Sequence, residues 1–98
     1  MSDNRPDAKS LFHKQLKTDG SVVDYPPAGK YYTLKELQQA VGGAVELIQL
    51  GGDYVMLVNE EGMILGLRDN ERATDLCGGF PIVGAALVCR STRGGDLR

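Results

Sequence analysis

The sequence is poor in the residues that usually carry catalytic or cofactor chemistry. Its 98 residues include no Trp, one His and two Cys, and Phe12 and Phe80 are the only aromatic residues besides four Tyr. Because aromatic side chains are so few, the core must consist mainly of Val, Leu and Ile. A chain of this length is enough for one domain, which buries roughly 60–70% of the surface that the unfolded chain exposes.

The scarcity of histidine and cysteine restricts the catalytic and metal sites that the chain could form. A Ser-His or Cys-His pair needs an imidazole base, and no carboxylate lies within two positions of His13 to orient its ring. We therefore interpret His13 as a surface residue. Cys77 and Cys89 lack the paired spacing of zinc ligands, and we interpret both as small buried hydrophobic residues. Neither a metal nor a cofactor is predicted.

An excess of positive charge and a long apolar run are also missing. The net charge is −2, whereas a dedicated nucleic-acid binder usually has a strongly basic face. The longest apolar run, Ile82 to Cys89, is too short to cross a bilayer, and no apolar segment follows Met1 as in a secretory signal. We therefore expect a cytoplasmic protein with reduced cysteines and with neither a membrane nor a nucleic acid as partner.

Turn signals, in contrast, are abundant. Thirteen glycines separate short apolar segments, a pattern typical of short strands joined by tight turns. We predict strands over 10–16, 22–25, 44–50, 54–58, 63–67 and 81–90, and helices over 33–41 and 70–77. The predicted fold class is α+β, a mainly antiparallel, curled sheet with two short helices in the order β-β-α-β-β-β-α-β. The domain spans residues 10–91, and residues 1–9 and 92–98 are predicted to be disordered.

Local patterns support these assignments. Thr33 and Glu36 have the spacing of a capping box, and Asn70 can cap the second helix. Pro26 and Pro27 end the second strand and favour an edge position for it. Residues 54–58 are apolar at every position, which suits a central strand covered on both faces. Such a strand requires either helices on opposite sides of the sheet or a sheet that curls on itself.

No group of residues has the spacing of a catalytic constellation, so we predict a protein that is not an enzyme. Glu60 and Glu61 are adjacent carboxylates that point apart at the end of a strand, and residues 59–62 resemble a hairpin turn. The Gly-Gly pairs at 42–43 and 78–79 end helices, so no helix N-terminus faces an anion there. The candidate binding residues are Asn59, Glu60, Glu61, Arg68, Arg72 and Tyr25.

A set of short segments between Tyr32 and Cys89 supports a family resemblance. The segments are Tyr32-Thr-Leu-Lys-Glu-Leu-Gln, Val41-Gly-Gly, Asn59-Glu-Glu-Gly62, Leu67-Arg-Asp-Asn70 with Ala73, and Ile82-Val-Gly84. In their order and spacing they resemble a family of small proteins encoded mainly by bacteriophages, marine cyanophages among them, and by bacterial mobile elements. That family is a domain of unknown function. The resemblance implies a phage-related origin and expression in the cytoplasm of an infected bacterium, and it supplies no catalytic residues.

Two functional hypotheses follow. The first is an accessory module that binds a host or phage protein through the sheet edge near Val22–Tyr25 and the acidic turn at 59–62. The second is a small-ligand protein that binds a nucleotide signal of host defence through Arg68, Arg72 and the tyrosines. An exposed edge strand is also compatible with a homodimer.

Overall fold

The computed structural model describes residues 8–98 as a five-stranded sheet with two α-helices. The strands are β1 (Lys14–Leu16), β2 (Val22–Asp24), β3 (Val45–Gly51), β4 (Tyr54–Asn59) and β5 (Ala86–Arg90); the helices are α1 (Leu34–Val41) and α2 (Glu71–Leu76), and a 3-10 helix covers Ala8–Leu11. All neighbouring strands are antiparallel, in the spatial order β2-β1-β5-β4-β3. The predicted α+β class and antiparallel sheet are confirmed.

The two helices cover opposite faces of the sheet. Successive residues of a strand point to opposite faces, and β4 divides its apolar residues accordingly. Val55 and Leu57 pack in the cluster that includes the buried side of α1. Met56 and Val58 pack in the other cluster, with Ala73 of α2. The prediction of a central strand covered on both faces is confirmed, and the sheet stays open.

The ends of α1 follow the predicted local chemistry. Thr33 Oγ1 accepts a hydrogen bond from the Glu36 N–H at 3.1 Å, and Glu36 Oε1 accepts one from the Thr33 N–H at 2.8 Å. This reciprocal pair satisfies two donors that a helix start would otherwise leave without a partner. Gly42 ends the helix with φ +81°, a conformation that glycine adopts without steric cost.

Asn70 begins α2 and also connects distant parts of the chain. Its Oδ1 accepts a hydrogen bond from the Ala73 N–H at 3.1 Å. Its Nδ2 donates to the carbonyl oxygens of Leu16 at 2.9 Å and Gly84 at 2.8 Å. The side chain is almost fully buried, so one amide holds the start of the helix, the end of β1 and the segment before β5 together.

The strand predicted over 63–67 is wrong. Residues 60–66 form successive turns, in which the Leu65 N–H donates to Glu61 O at 2.9 Å and the Leu67 N–H donates to Gly62 O at 3.0 Å. Because these local hydrogen bonds satisfy the backbone, the segment adds no strand to the sheet. The order is therefore β-β-α-β-β-α-β, and residues 59–62 do not join two strands of a hairpin.

Two predicted strands are shorter than expected. His13, at φ +62°, lies outside the extended region, so β1 starts only at Lys14. The last strand starts at Ala86, because Gly84 at φ +80° breaks the extended run. A Cβ on Gly84 would lie 2.7 Å from Leu67 Cδ1. The backbone therefore approaches Leu67 too closely at this position for any residue with a side chain to fit without a shift.

The C-terminal segment 92–98, for which the sequence predicts disorder, packs along the sheet. Leu97 forms an isolated bridge with Ser91, and its carbonyl accepts a hydrogen bond from the Tyr32 N–H at 2.7 Å. Arg98 and Arg90 exchange two backbone hydrogen bonds at 2.8 and 2.7 Å. Of the N-terminal residues predicted to be disordered, 1–7 lie outside the described residues and Ala8 and Lys9 belong to the 3-10 helix.

Across residues 8–98 no helix has the length and apolar character needed to cross a membrane.

Candidate protein-binding groove

A groove lies on the α2 side of the sheet, between β3 and the segment 76–83. Its volume is about 630 Å³, and its apolar walls are Ile48, Leu50, Val58, Leu76, Cys77 and Ile82. The groove exists because α2 is short. A helix of six residues is about 9 Å long, and strands lie about 4.8 Å apart, so α2 cannot cover a five-stranded face. Ile48 and Leu50 therefore remain only partly buried. We call this feature the β3 groove.

Large apolar side chains stand exposed at the rim of the β3 groove. Met63 and Phe80 line it and are 70% and 69% exposed. Next to Met63, Ile64 is 85% exposed, and Leu65 is also exposed. Single exposed hydrophobic residues are ordinary, but a cluster beside an apolar groove is typical of an interaction site.

The backbone of β3 is open on its outer side. Among the described residues β3 pairs with β4 alone. In an antiparallel pair of strands, hydrogen-bonded and non-hydrogen-bonded residue pairs alternate. The Glu60 N–H donates to Ala44 O at 2.8 Å, so the hydrogen-bonded pairs are 44–60, 46–58 and 48–56. The N–H and C=O groups of Val45, Leu47 and Gln49 therefore point away from β4, toward the free edge.

The charge at the groove is negative. Glu46 and Glu60 line it, and the described lining contains no Lys, Arg or His. Both glutamates are exposed. An occupant with positive charge would therefore be favoured over an acidic one.

Comparison with known families gives a match over residues 13–98, which includes the β3 groove, both helices and the C-terminal segment. The matched family is described as a domain of unknown function (DUF3846). The chain belongs to this family. No curated protein and no solved structure matches the chain significantly.

Within this DUF3846 domain, the predicted acidic site divides into residues with different roles. Asn59 is buried, its Nδ2 donates to Val41 O at 3.2 Å, and its Oδ1 accepts from the Glu61 N–H at 2.8 Å. Asn59 therefore fixes the start of the turn segment against the end of α1. Glu60 lies at the β3 groove, whereas Glu61 is exposed and does not line it.

The structure brings Arg68 and Arg72 together but separates them from Tyr25. Both arginines line a polar cleft of about 760 Å³ beside the turn at Asp19 and Gly20, and Arg72 donates to Gly20 O at 3.3 Å. The cleft also contains the carboxylates of Asp19, Asp69 and Glu71. Tyr25 instead donates its hydroxyl to Glu36 O at 2.8 Å and stacks on Tyr32.

His13 is less exposed than its interpretation as a surface residue implies. Its ring is partly buried, stacked on Phe12 with the centroids 3.7 Å apart, and meets the edge of Tyr32 at 5.9 Å. Its Nε2 is enclosed and has no hydrogen-bond partner in the 8–98 region. Burial lowers the pKa of His13, because an apolar environment disfavours the charged ring.

The two cysteines are unpaired, and neither has the surroundings of a reactive thiolate. Cys89 is fully buried, as predicted, and burial raises the pKa of its thiol to about 12. Cys77 is partly buried at the wall of the β3 groove, and burial raises its pKa too. Both thiols therefore stay protonated near neutral pH. No cluster of three or more metal-ligating side chains occurs in the described region.

Neither the β3 edge nor the groove was predicted from the sequence. The sequence predicted an exposed edge at β2, which is indeed an edge strand but has only three residues and is followed by Pro26 and Pro27. The signal that could have found the groove is the apolar run Met63–Leu65. Glycines flank that run, and it has no alternation to support a half-buried strand.

Proposed function

We propose that this chain is a non-enzymatic accessory module that binds a host or phage protein through the β3 groove. The observation that carries the proposal is the cluster of exposed Met63, Ile64, Leu65 and Phe80 beside an apolar groove and an open strand edge. The family resemblance supports the phage or mobile-element origin of the module and its action in the cytoplasm of an infected bacterium.

The exposed apolar cluster favours association with another macromolecule on energetic grounds. Fully burying a side chain such as Phe, Met, Leu or Ile stabilises a complex by about 1.5–3 kcal/mol before the costs of association. Aromatic anchors seated in a pocket are typical of the residues that dominate an interface. Phe80 at the rim and Ile82 in the wall provide such an anchor and its support.

The chemistry of the groove supports binding better than catalysis. Its titratable side chains are Glu46, Glu60 and Cys77. The two glutamates are exposed, and the thiol is made less acidic by burial. A nucleophile needs an adjacent base or a lowered pKa, and the described lining provides neither for Cys77.

Site-specific photo-crosslinking tests this proposal. A photoreactive phenylalanine analogue replaces Phe80 in the full chain, expressed in phage-infected bacteria, and the control places the same analogue at Leu34. Leu34 is 64% exposed on α1, at the other face of the sheet. We expect a discrete crosslinked partner from position 80 and none from position 34, and we expect Met63→Ser to remove it. Equal crosslinking from both positions, or none at position 80, would contradict the proposal.

A second candidate function is binding of a nucleotide signal used in host defence. The observation that favours it is that Arg68 and Arg72 line one cleft. Thermal shift with cyclic and linear nucleotides tests it: a stabilisation lost in Arg68→Ala and in Arg72→Ala is expected. No shift with any nucleotide removes this candidate. The carboxylates of Asp19, Asp69 and Glu71 in the same cleft oppose anion binding, which is why it ranks second.

A further inference from the structure

We infer that the β3 groove receives an extended partner segment that carries lysine or arginine and pairs with β3 as a sixth strand of the sheet. This inference rests on the proposed function and specifies the conformation and the chemistry of the partner. Three features carry it: the backbone of β3, the position of the groove beside it, and the charges at the rim.

The backbone of β3 is suited to strand addition, whereas that of β2 is not. Natural proteins protect edge strands with short length, proline, bulges or charge. At one edge of the sheet, β2 has three residues, carries the ion pair between Asp24 and Lys14, and is followed by two prolines. At the other edge, β3 has seven residues, and its irregularity lies only at its end, between Gln49 and Gly51.

The outward groups of β3 match an incoming strand. Val45, Leu47 and Gln49 alternate along the edge, and each directs one N–H and one C=O away from β4. A strand added at the usual spacing of about 4.8 Å would satisfy these groups with its own backbone. Its backbone hydrogen bonds would supply affinity without demanding a particular sequence.

The groove then selects the side chains. Alternate residues of an added strand point to the same face of the sheet as Ile48 and Leu50. On that face they meet the apolar walls of the groove and the exposed side chains of Met63 and Phe80. Apolar residues at every second position of the partner segment are therefore favoured there.

The charges favour a basic partner over a second copy of this chain. Glu46 and Glu60 line the groove, and residues 44–75, which include β3 and the Met63–Leu65 part of the rim, contain seven acidic and two basic residues. Two copies paired through β3 would bring these acidic regions together, and like charges oppose association. A segment with Lys or Arg beside its apolar residues complements the rim.

Selection of displayed peptides tests the inference. Random 12-residue peptides are selected on the immobilised full-length chain and counter-selected on Phe80→Ser, and the enriched peptides are then synthesised for affinity measurements. We expect apolar residues at alternate positions with Lys or Arg among the others. Glu46→Gln combined with Glu60→Gln should weaken binding by about tenfold, and added salt should weaken it for the unsubstituted chain.

Proline variants test the strand pairing. Leu47→Pro removes an outward N–H without removing a hydrogen bond to β4, and it should weaken the enriched peptides by about tenfold, as expected for an unsatisfied backbone group. Leu47→Ala keeps the N–H and controls for the side chain. Val22→Pro is the second control, and it removes an outward N–H at the other edge of the sheet. The Lys17 N–H donates to Ser21 O, so Ser21 faces β1 and the N–H of the next residue, Val22, points away from β1. Val22→Pro should stay within about twofold, and Leu47→Ala should weaken binding much less than Leu47→Pro does. Circular dichroism and thermal melting of each variant verify that it folds.

The possible failures are distinguishable. Peptides that depend on Phe80 but lack basic residues, or that bind Leu47→Pro as well as Leu47→Ala, would overturn this inference and leave the proposed function standing. If no peptide discriminates against Phe80→Ser, both fail. A homodimer in sedimentation that Leu47→Pro dissociates would show that a second copy fills the edge, and it would also overturn this inference.

Discussion

Replacing Asn70 by alanine should destabilise the fold strongly, and clearly more than Thr33→Ala does. Asn70 is only 1% exposed. Its amide donates to Leu16 O and Gly84 O and accepts from the Ala73 N–H. Alanine removes all three hydrogen bonds and leaves two buried carbonyls and one buried N–H without these partners.

The magnitude follows from the number of groups that lose a partner. A lost hydrogen bond costs about 0.5–1.5 kcal/mol, and a buried group left with no partner costs about 1–3 kcal/mol, so losing three bonds in Asn70→Ala should lower the free energy of unfolding by about 3 kcal/mol. This is a large share of the roughly 5–15 kcal/mol typical of a small domain. The matched control is Thr33→Ala, which removes the side-chain cap of α1 at an exposed position and should cost about 1 kcal/mol.

Urea unfolding monitored by circular dichroism measures both variants against the unsubstituted chain. We expect Asn70→Ala to lower the midpoint by about three times as much as Thr33→Ala, with similar slopes. Asn70→Asp keeps the acceptor that caps α2 and loses the two donors, so it should remain strongly destabilised. Equal midpoints for Asn70→Ala and Thr33→Ala would refute the claim that this amide connects β1, α2 and the segment before β5.

Three further predictions concern glycine, histidine and the groove rim. Gly84→Ala should lower the free energy of unfolding, measured in urea, more than Gly20→Ala does. Both glycines have positive φ, but only at Gly84 would the new Cβ meet Leu67. Burial lowers the pKa of His13 below its usual 6.5, so the unfolded state binds the proton more readily than the folded state. The free energy of unfolding should therefore fall as the pH decreases below about 6.5. His13→Asn should remove this pH dependence, and an unchanged pH profile in that variant would contradict the prediction. Phe80→Ser should change stability by less than about 0.5 kcal/mol because the side chain is 69% exposed; a large loss would mean that Phe80 belongs to the core.

The site could be predicted from the sequence only in part. Glu60 lies at the β3 groove, and Arg68 and Arg72 share a cleft because they are close in the chain and lie on either side of Asn70. Asn59, chosen as a binding residue, is held in internal hydrogen bonds. A polar residue in a turn has the same local pattern whether its partner is solvent, a ligand or a distant backbone carbonyl. Only the contact with Val41 distinguishes these possibilities here.

The misassigned strand shows a related limit. Residues 63–67 are mostly apolar and follow a turn, which is compatible with a strand, but Leu65 and Leu67 find hydrogen-bond partners within the same segment. A short apolar run without clear periodicity does not distinguish these outcomes. The consequence for the site is direct, because the side chains of Met63 and Ile64 become an exposed rim and not part of a sheet.

Local features of this protein were determined by the sequence alone: the capping box at Thr33 and Glu36, the stop at Gly42, the cap at Asn70 and the doubly buried strand 54–58. Each depends on contacts within a few residues or on the burial that a continuous apolar run requires. Tertiary structure decided that β3 became the second edge of the sheet. The pairing of β1 with β5 and of β5 with β4 places β2 at one side and leaves β3 open at the other. Those pairings join residues far apart in the chain, and their energies depend on how the whole sheet packs between two helices.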